Sequence, residues 1–131
     1  MRPFMEFIMK IQGISRDLID LLRSVGADRH PLEFVGVLRE EDGIIHELNL
    51  LPGTISGEHS ASLFVDMMPL DVHVVGSAHS HPNGVIRPSN ADLLFFPRVG
   101  RFHFIIGYPY GGNDWGCFRA DGTPVEMEVI G

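Results

Sequence analysis

The 131 residues, 44% apolar and 21% charged, suit a single domain able to bury its own core, which excludes a disordered chain and a second independent core. Fifteen glycines and nine prolines exceed the background of about 12% for the two together and imply short elements joined by many turns. The formal charge of −7 repels phosphate backbones, which disfavours nonspecific nucleic-acid binding and suits a basic partner.

In chain order, residues 1–8 read as an extension ahead of a domain spanning 9–131. The stretch 1–11 is apolar but interrupted by Glu6 and Lys10 and lacks a small-residue cleavage site, so it makes a poor signal peptide. Ser15 is placed to N-cap an amphipathic helix ending near Gly26, with Leu18, Leu21, Leu22 and Val25 at i, i+3, i+4 and i+7. Beyond Arg29-His30-Pro31, residues 33–38 and 44–51 read as a hairpin about a charged turn at 39–43. Residues 52–60 hold loop formers, and 61–66 suit a short strand before Met67-Met68-Pro69.

The small and β-branched run at 72–80 suits a central strand ending at Pro82. It lies in the longest uncharged stretch, 72–86, which contains three histidines and falls short of the ~20 apolar residues of a membrane span. After a loop at 82–88, Ser89 opens a short helix through Phe96, stopped by Pro97. Residues 102–108 read as a buried strand and 110–114 as a turn. A strand at 115–119, an Asp121-Gly122 turn and a closing strand at 125–130 complete a β meander. The expected fold class is α/β in the α+β sense: a curved mixed sheet flanked by two helices. Cys117 is the only cysteine, so no intrachain disulfide can form and the cytoplasm is the default compartment. Between Trp115 and Phe118 it reads as a buried small hydrophobe rather than a nucleophile.

The chemistry concentrates at His79 and His81. Residues two apart on a strand share a face with Cα atoms about 6.5 Å apart, so both imidazoles can aim at one ion. Pro82 puts the pair at a strand end. The nearest downstream carboxylate is Asp92, and two histidines with one carboxylate leave a fourth tetrahedral position for water, as in a catalytic zinc site. A metal so held lowers the pKa of a water it binds from 15.7 to about 7. Ser89-Asn90-Ala91-Asp92 matches a capping box equally well, in which Asp92 caps a helix and binds nothing. His103 reads as a partly buried strand residue, and His30, His46, His59 and His73 as surface or supporting groups. Met67 and Met68 fit core packing better than an adaptable binding surface.

His79-Ser80-His81-Pro82 followed by Ser89-Asn90-Ala91-Asp92 resembles the signature of the JAMM (MPN-plus) metalloprotease family, and Glu33 resembles that family's upstream glutamate. The similarity runs from about Met9 to Ile130. The resemblance implies a fold like that of cytidine deaminases and a Zn2+-dependent isopeptidase activity toward ubiquitin or ubiquitin-like proteins. It implies that His79, His81 and Asp92 bind zinc, that Glu33 is the general acid/base, and that Ser89 hydrogen-bonds the oxyanion. Those residue types suit the roles: Glu33 can carry a proton from water to the leaving amine, and a hydroxyl can steady a developing oxyanion. With one cysteine the chain lacks the Pro-Cys-x-x-Cys ligands of the deaminases.

Family members that distinguish polyubiquitin linkages carry an insertion after the metal motif, for which residues 93–101 leave no room. The compact form therefore resembles the archaeal-type branch, which acts on small ubiquitin-like modifiers or on sulfur-carrier proteins ending in Gly-Gly. The expected partner is such a modifier and its conjugates, its tail pairing with an edge near 60–66 by β-augmentation. Two other readings stand beside this one: a non-catalytic MPN scaffold, and a zinc hydrolase of a small amide or RadC-like substrate.

Overall fold

In the computed structural model, which describes residues 10–52 and 71–131, a short strand β1 (Gly13–Ser15) turns directly into helix α1 (Arg16–Arg29). The Ser15 hydroxyl accepts the Leu18 N–H at 3.1 Å, satisfying one of the helix's free donors. Leu18, Ile19 and Leu22 are buried and Val25 packs against the core, while Leu21 is 47% exposed, so the inward stripe takes in Ile19 in place of the expected Leu21. The helix also runs past Gly26, because that glycine is an interior position. A side chain there would meet the Tyr110 ring at 2.8 Å.

Strands β2 (Val35–Glu41) and β3 (Ile44–Leu50) form the hairpin. Asp42 and Gly43 both have positive φ, 54° and 83°, as a two-residue hairpin turn requires. The charged residues assigned to the turn thus finish β2, where Arg39 meets Glu47 and Asp71, each at 2.9 Å.

The central strand β4 (Val74–His81) pairs antiparallel with β2 and parallel with β5 (Phe102–Gly107). A Cβ on Gly76 would fall 1.5 Å from the Phe102 carbonyl oxygen, so only glycine lets these backbones meet. The parallel connection is carried by helix α2 (Asn90–Phe95) and a 3-10 turn (Phe96–Arg98). The α-helix stops before Pro97 as expected, one residue short of Phe96, and Pro97 sits in the 3-10 turn that follows, where a missing N–H is harmless in a first turn.

Strands β6 (Trp115–Phe118) and β7 (Pro124–Val125) continue antiparallel, but β8 (Val129–Ile130) pairs parallel with β1. The expected closing strand at 125–130 is therefore two strands. They occupy opposite ends of the order β7-β6-β5-β4-β2-β3-β1-β8. Eight strands laid flat would hold those ends about 34 Å apart, whereas the chain from Val125 to Val129 reaches about 14 Å. The sheet must curl until its ends nearly meet.

One face of the sheet packs Ile14, Leu18, Leu22, Leu38 and Phe104 in a core with α1. The other packs Phe95, Phe96, Ile105 and Phe118 around α2, and this smaller core carries the polar cluster described next. Cys117 is buried as expected, and burial pushes its thiol up to about 12. Apart from Pro52, the loop expected at 52–60 lies outside the described residues, as do the edge strand at 61–66, His59, Met67, Met68 and the extension 1–8. Among the described residues no helix is long and apolar enough to cross a membrane.

Candidate metal centre

The end of β4 and the start of α2 bring His79, His81 and Asp92 together. Asp92 is the third residue of α2, and its carboxylate is wholly buried. Its Oδ2 accepts the Ser89 N–H at 2.9 Å, and its own N–H donates to the Ser89 hydroxyl at 3.1 Å. That is a complete capping box. The same Oδ2 lies 3.0 Å from His81 Nε2, while Oδ1 lies 3.7 Å from His79 Nδ1. Capping and convergence on the histidines, alternatives in the sequence, coexist because one carboxylate serves both.

The loop after β4 orients His81. Its Nδ1–H donates to the Val85 carbonyl at 2.8 Å, and the Asn83 side chain holds the Val85 N–H at 2.9 Å. With Nδ1 committed, Nε2 is the nitrogen turned toward Asp92. Two acceptors cannot sit 3.0 Å apart without positive charge between them, so this contact calls for a proton or a cation. Burial is the largest influence on His81 and lowers its pKa. The Asp92 and Val85 hydrogen bonds, with the charges of Asp92 and Glu33, outweigh it and hold the imidazole above its ordinary value.

Glu33, far away in sequence, reaches the site through a backbone clasp. Ser80, between the two histidines, accepts the Phe34 N–H on its hydroxyl at 2.8 Å and donates its own N–H to the Phe34 carbonyl at 3.1 Å. The neighbouring Glu33 is exposed, and its charge helps to raise His81.

Behind His79 lies a buried polar chain. Its Nε2 is 2.7 Å from the Ser77 hydroxyl, which is 2.7 Å from His103 Nδ1, and His103 Nε2–H donates to the Gly100 carbonyl at 2.8 Å. His103 stacks on Phe96 at 4.0 Å, and the Phe95 ring meets His79 edge-on at 5.3 Å.

The donor types suit a borderline metal: two imidazoles, each held by a hydrogen bond at one nitrogen, and one carboxylate. Among the described residues no three His, Cys, Asp or Glu side chains already stand as a ready metal cluster. Asp92 meets each imidazole separately, and its bond to His81 must open for both groups to face one ion.

A family model described as prokaryotic homologs of the JAB domain matches residues 15–120. The chain belongs to this JAMM/MPN family. A curated relative from Haloferax volcanii described as a "Probable metalloprotease" is 40% identical over 131 aligned positions, covering 92% of this chain and 81% of that protein. A solved JAB1/MPN domain protein from Archaeoglobus fulgidus superposes with a TM-score of 0.75 at 36% identity, covering 91% of this chain and 99% of that one. A second solved structure, described as a metalloprotease-like zinc site in the proteasome and signalosome, superposes with a TM-score of 0.74 at 34% identity over 93% of this chain and 100% of that one. The α+β expectation holds for this JAMM/MPN protein, and residues 93–101 are used up by α2, the 3-10 turn and the link to β5.

Sequence reasoning missed Ser77, Ser80 and His103. Ser77 could have been found, being two residues before His79 on the same strand face. His103 is fully buried rather than partly so. The remaining described histidines sit elsewhere. His30 hydrogen-bonds the Tyr110 hydroxyl at 2.7 Å and stacks on Tyr108, and His46 and His73 face Glu41 and Glu40 at the surface.

Burial depresses His103 from its ordinary 6.5 to about 3. Between those values the unfolded chain binds a proton that the folded protein refuses, so this contribution to stability is complete above pH about 6.5 and is lost as pH falls toward 3. Over pH about 7 to 5, urea unfolding of wild type should therefore lose more stability than that of His103→Gln, which cannot titrate. Equal losses would count against a neutral buried imidazole.

Proposed function

We propose that this JAMM/MPN protein is a zinc metalloprotease that hydrolyses the bond following the C-terminal Gly-Gly of a ubiquitin-like modifier or sulfur-carrier protein, foremost an isopeptide bond to lysine. The observation that carries the reading is one buried carboxylate, Asp92, facing both His79 and His81, with the Ser80–Phe34 clasp holding Glu33's neighbour and the Glu33 charge acting on His81. Likeness to the Haloferax probable metalloprotease and to the metalloprotease-like zinc-site structure supports it.

His79, His81 and Asp92 would hold the zinc, which supplies a Lewis acid and a water ionisable near neutral pH. Glu33, exposed at the open side, accepts a proton from the attacking water and returns it to the departing amine. The Ser89 oxygen is already an acceptor for the Asp92 N–H, which leaves its O–H to donate to the carbonyl oxygen as charge develops there. Phe95 and Phe96 pack against the His79 ring, so its inner side is dry.

The surroundings favour a slim polypeptide. Leu32, Val85 and Tyr108 are exposed large apolar side chains. Leu32 precedes Glu33, the Val85 carbonyl holds His81, and the Tyr108 N–H meets the His81 carbonyl at 3.3 Å. Such a rim suits an extended tail without bulky residues at its end. Incubating the protein with a Gly-Gly-terminated modifier joined to lysine through an isopeptide bond should release the modifier, and a chelator should stop the release. Binding of the conjugate without cleavage, with zinc supplied, would point to a scaffold.

A further inference from the structure

We infer that Ser77 and His103 are positioning residues that lock His79 in its Nε2–H tautomer, so that Nδ1 is the nitrogen offered to the metal. The inference rests on the proposed zinc reading and concerns residues outside the family signature quoted above. The Gly100 carbonyl oxygen can only accept, so the 2.8 Å contact fixes the proton of His103 on Nε2. His103 is 0% exposed and stacked on Phe96, an environment that keeps an imidazole neutral. A neutral ring protonated at Nε2 has an acceptor at Nδ1, and Ser77, at 2.7 Å, must give its hydroxyl proton to it.

The Ser77 oxygen is then free only to accept. Its other contact, His79 Nε2 at 2.7 Å, must be the donor. A neutral His79 is left with its lone pair on Nδ1, the atom 3.7 Å from Asp92 Oδ1, and a cation between these two acceptors would satisfy both. Each step follows from the one before, and reversing any of them places two donors or two acceptors face to face. The register makes the chain possible: Ser77 lies opposite His103 across the parallel β4–β5 pair, and His79 lies two residues further along the same face.

The arrangement also differs between the two histidines. His81 is anchored through Nδ1 by a carbonyl and offers Nε2, whereas His79 is anchored through Nε2 by a hydroxyl and offers Nδ1. A hydroxyl can donate or accept, so the Ser77 anchor alone would leave the His79 tautomer open. His103 removes that freedom. Without the relay part of the population would carry its proton on the nitrogen needed for the metal, and outer-sphere partners of this kind are worth about 10–100-fold in metal affinity.

The test is long-range 15N NMR of the histidine rings in metal-free protein, paired with zinc affinity measured by competition against a chromophoric chelator. Wild type should show His79 as the Nε2–H tautomer. Ser77→Ala should give a mixture of tautomers and raise the zinc Kd by about 10–100-fold, whereas Ser77→Thr, which keeps the hydroxyl, should preserve the tautomer and most of the affinity. A merely structural role would lower the melting temperature of Ser77→Ala without moving the tautomer. Finding Nδ1–H in wild type, or an unchanged tautomer and Kd in a folded Ser77→Ala, overturns the relay. Should wild type take up no zinc, the metal reading fails while the relay is still decided by the tautomer, Nε2–H upholding it and Nδ1–H refuting it.

Discussion

Glu33→Gln should reduce cleavage of a modifier–lysine isopeptide by about 10²–10⁴-fold, the usual range for loss of a general acid/base, with zinc content unchanged. Glutamine keeps the size of the side chain and some of its hydrogen bonding but cannot take up a proton at neutral pH. The two contacts that hold this segment are made by the backbone of Phe34 to Ser80, so the substitution leaves the clasp in place. His79, His81 and Asp92 are likewise untouched, which separates the chemical step from metal uptake. A fall in zinc content equal to the fall in turnover would move Glu33 into the ligand set, and undiminished turnover would remove it from the mechanism. Each outcome is read from two assays on one preparation, single-turnover cleavage and metal analysis.

Asp92 is the position at which stability and metal affinity can be pulled apart. Asp92→Ala should lose zinc and also lose the reciprocal half of the capping box, the Ser89 N–H to Oδ2 bond at 2.9 Å. The latter costs about 1 kcal/mol in a helix of six residues with little stability of its own. Asp92→Asn retains an oxygen for the Ser89 N–H, so the metal-free protein should unfold nearly like wild type. It nevertheless removes the negative charge that faces both imidazoles, and zinc affinity should fall by at least about 100-fold, the upper end of what an outer-sphere change costs. Chemical denaturation of the metal-free variants, followed by chelator competition, checks both halves. Wild-type zinc affinity in Asp92→Asn would reduce Asp92 to a cap.

Much of this architecture was legible in the sequence because its signals are local. The Ser15 cap, a turn within 39–43, the apolar run into His81 and the Ser89 helix start each depend on a few neighbouring residues, and each is present, the turn narrowed to Asp42-Gly43. The pair His79 and His81 shows itself by strand period alone, and the family resemblance added Glu33. What escaped depends on tertiary placement. The alternation of Val125, Met127 and Val129 looks like one strand, yet the chain changes partner between β7 and β8 because the sheet has curled around to meet β1. Leu21 fits a helical stripe as well as Ile19 does, and only the direction from which the sheet approaches decides between them. The capping-box and ligand readings of Asp92 looked exclusive because a sequence pattern names residues, whereas one carboxylate oxygen, Oδ2, can meet both the Ser89 N–H and His81. His103 could not be assigned, since its link to His79 passes through Ser77 and exists only in the register that sets Ser77 beside it.

Two imidazoles and one carboxylate sharing a single cation would be the centre of this activity. Crystals of the zinc-loaded protein, measured on either side of the zinc absorption edge, test that claim most directly. The predicted result is one anomalous peak per chain within about 2.0–2.2 Å of His79, His81 and the Asp92 carboxylate. A map with no peak there, or with its peak at other side chains while Asp92 keeps its bond to His81, would contradict it.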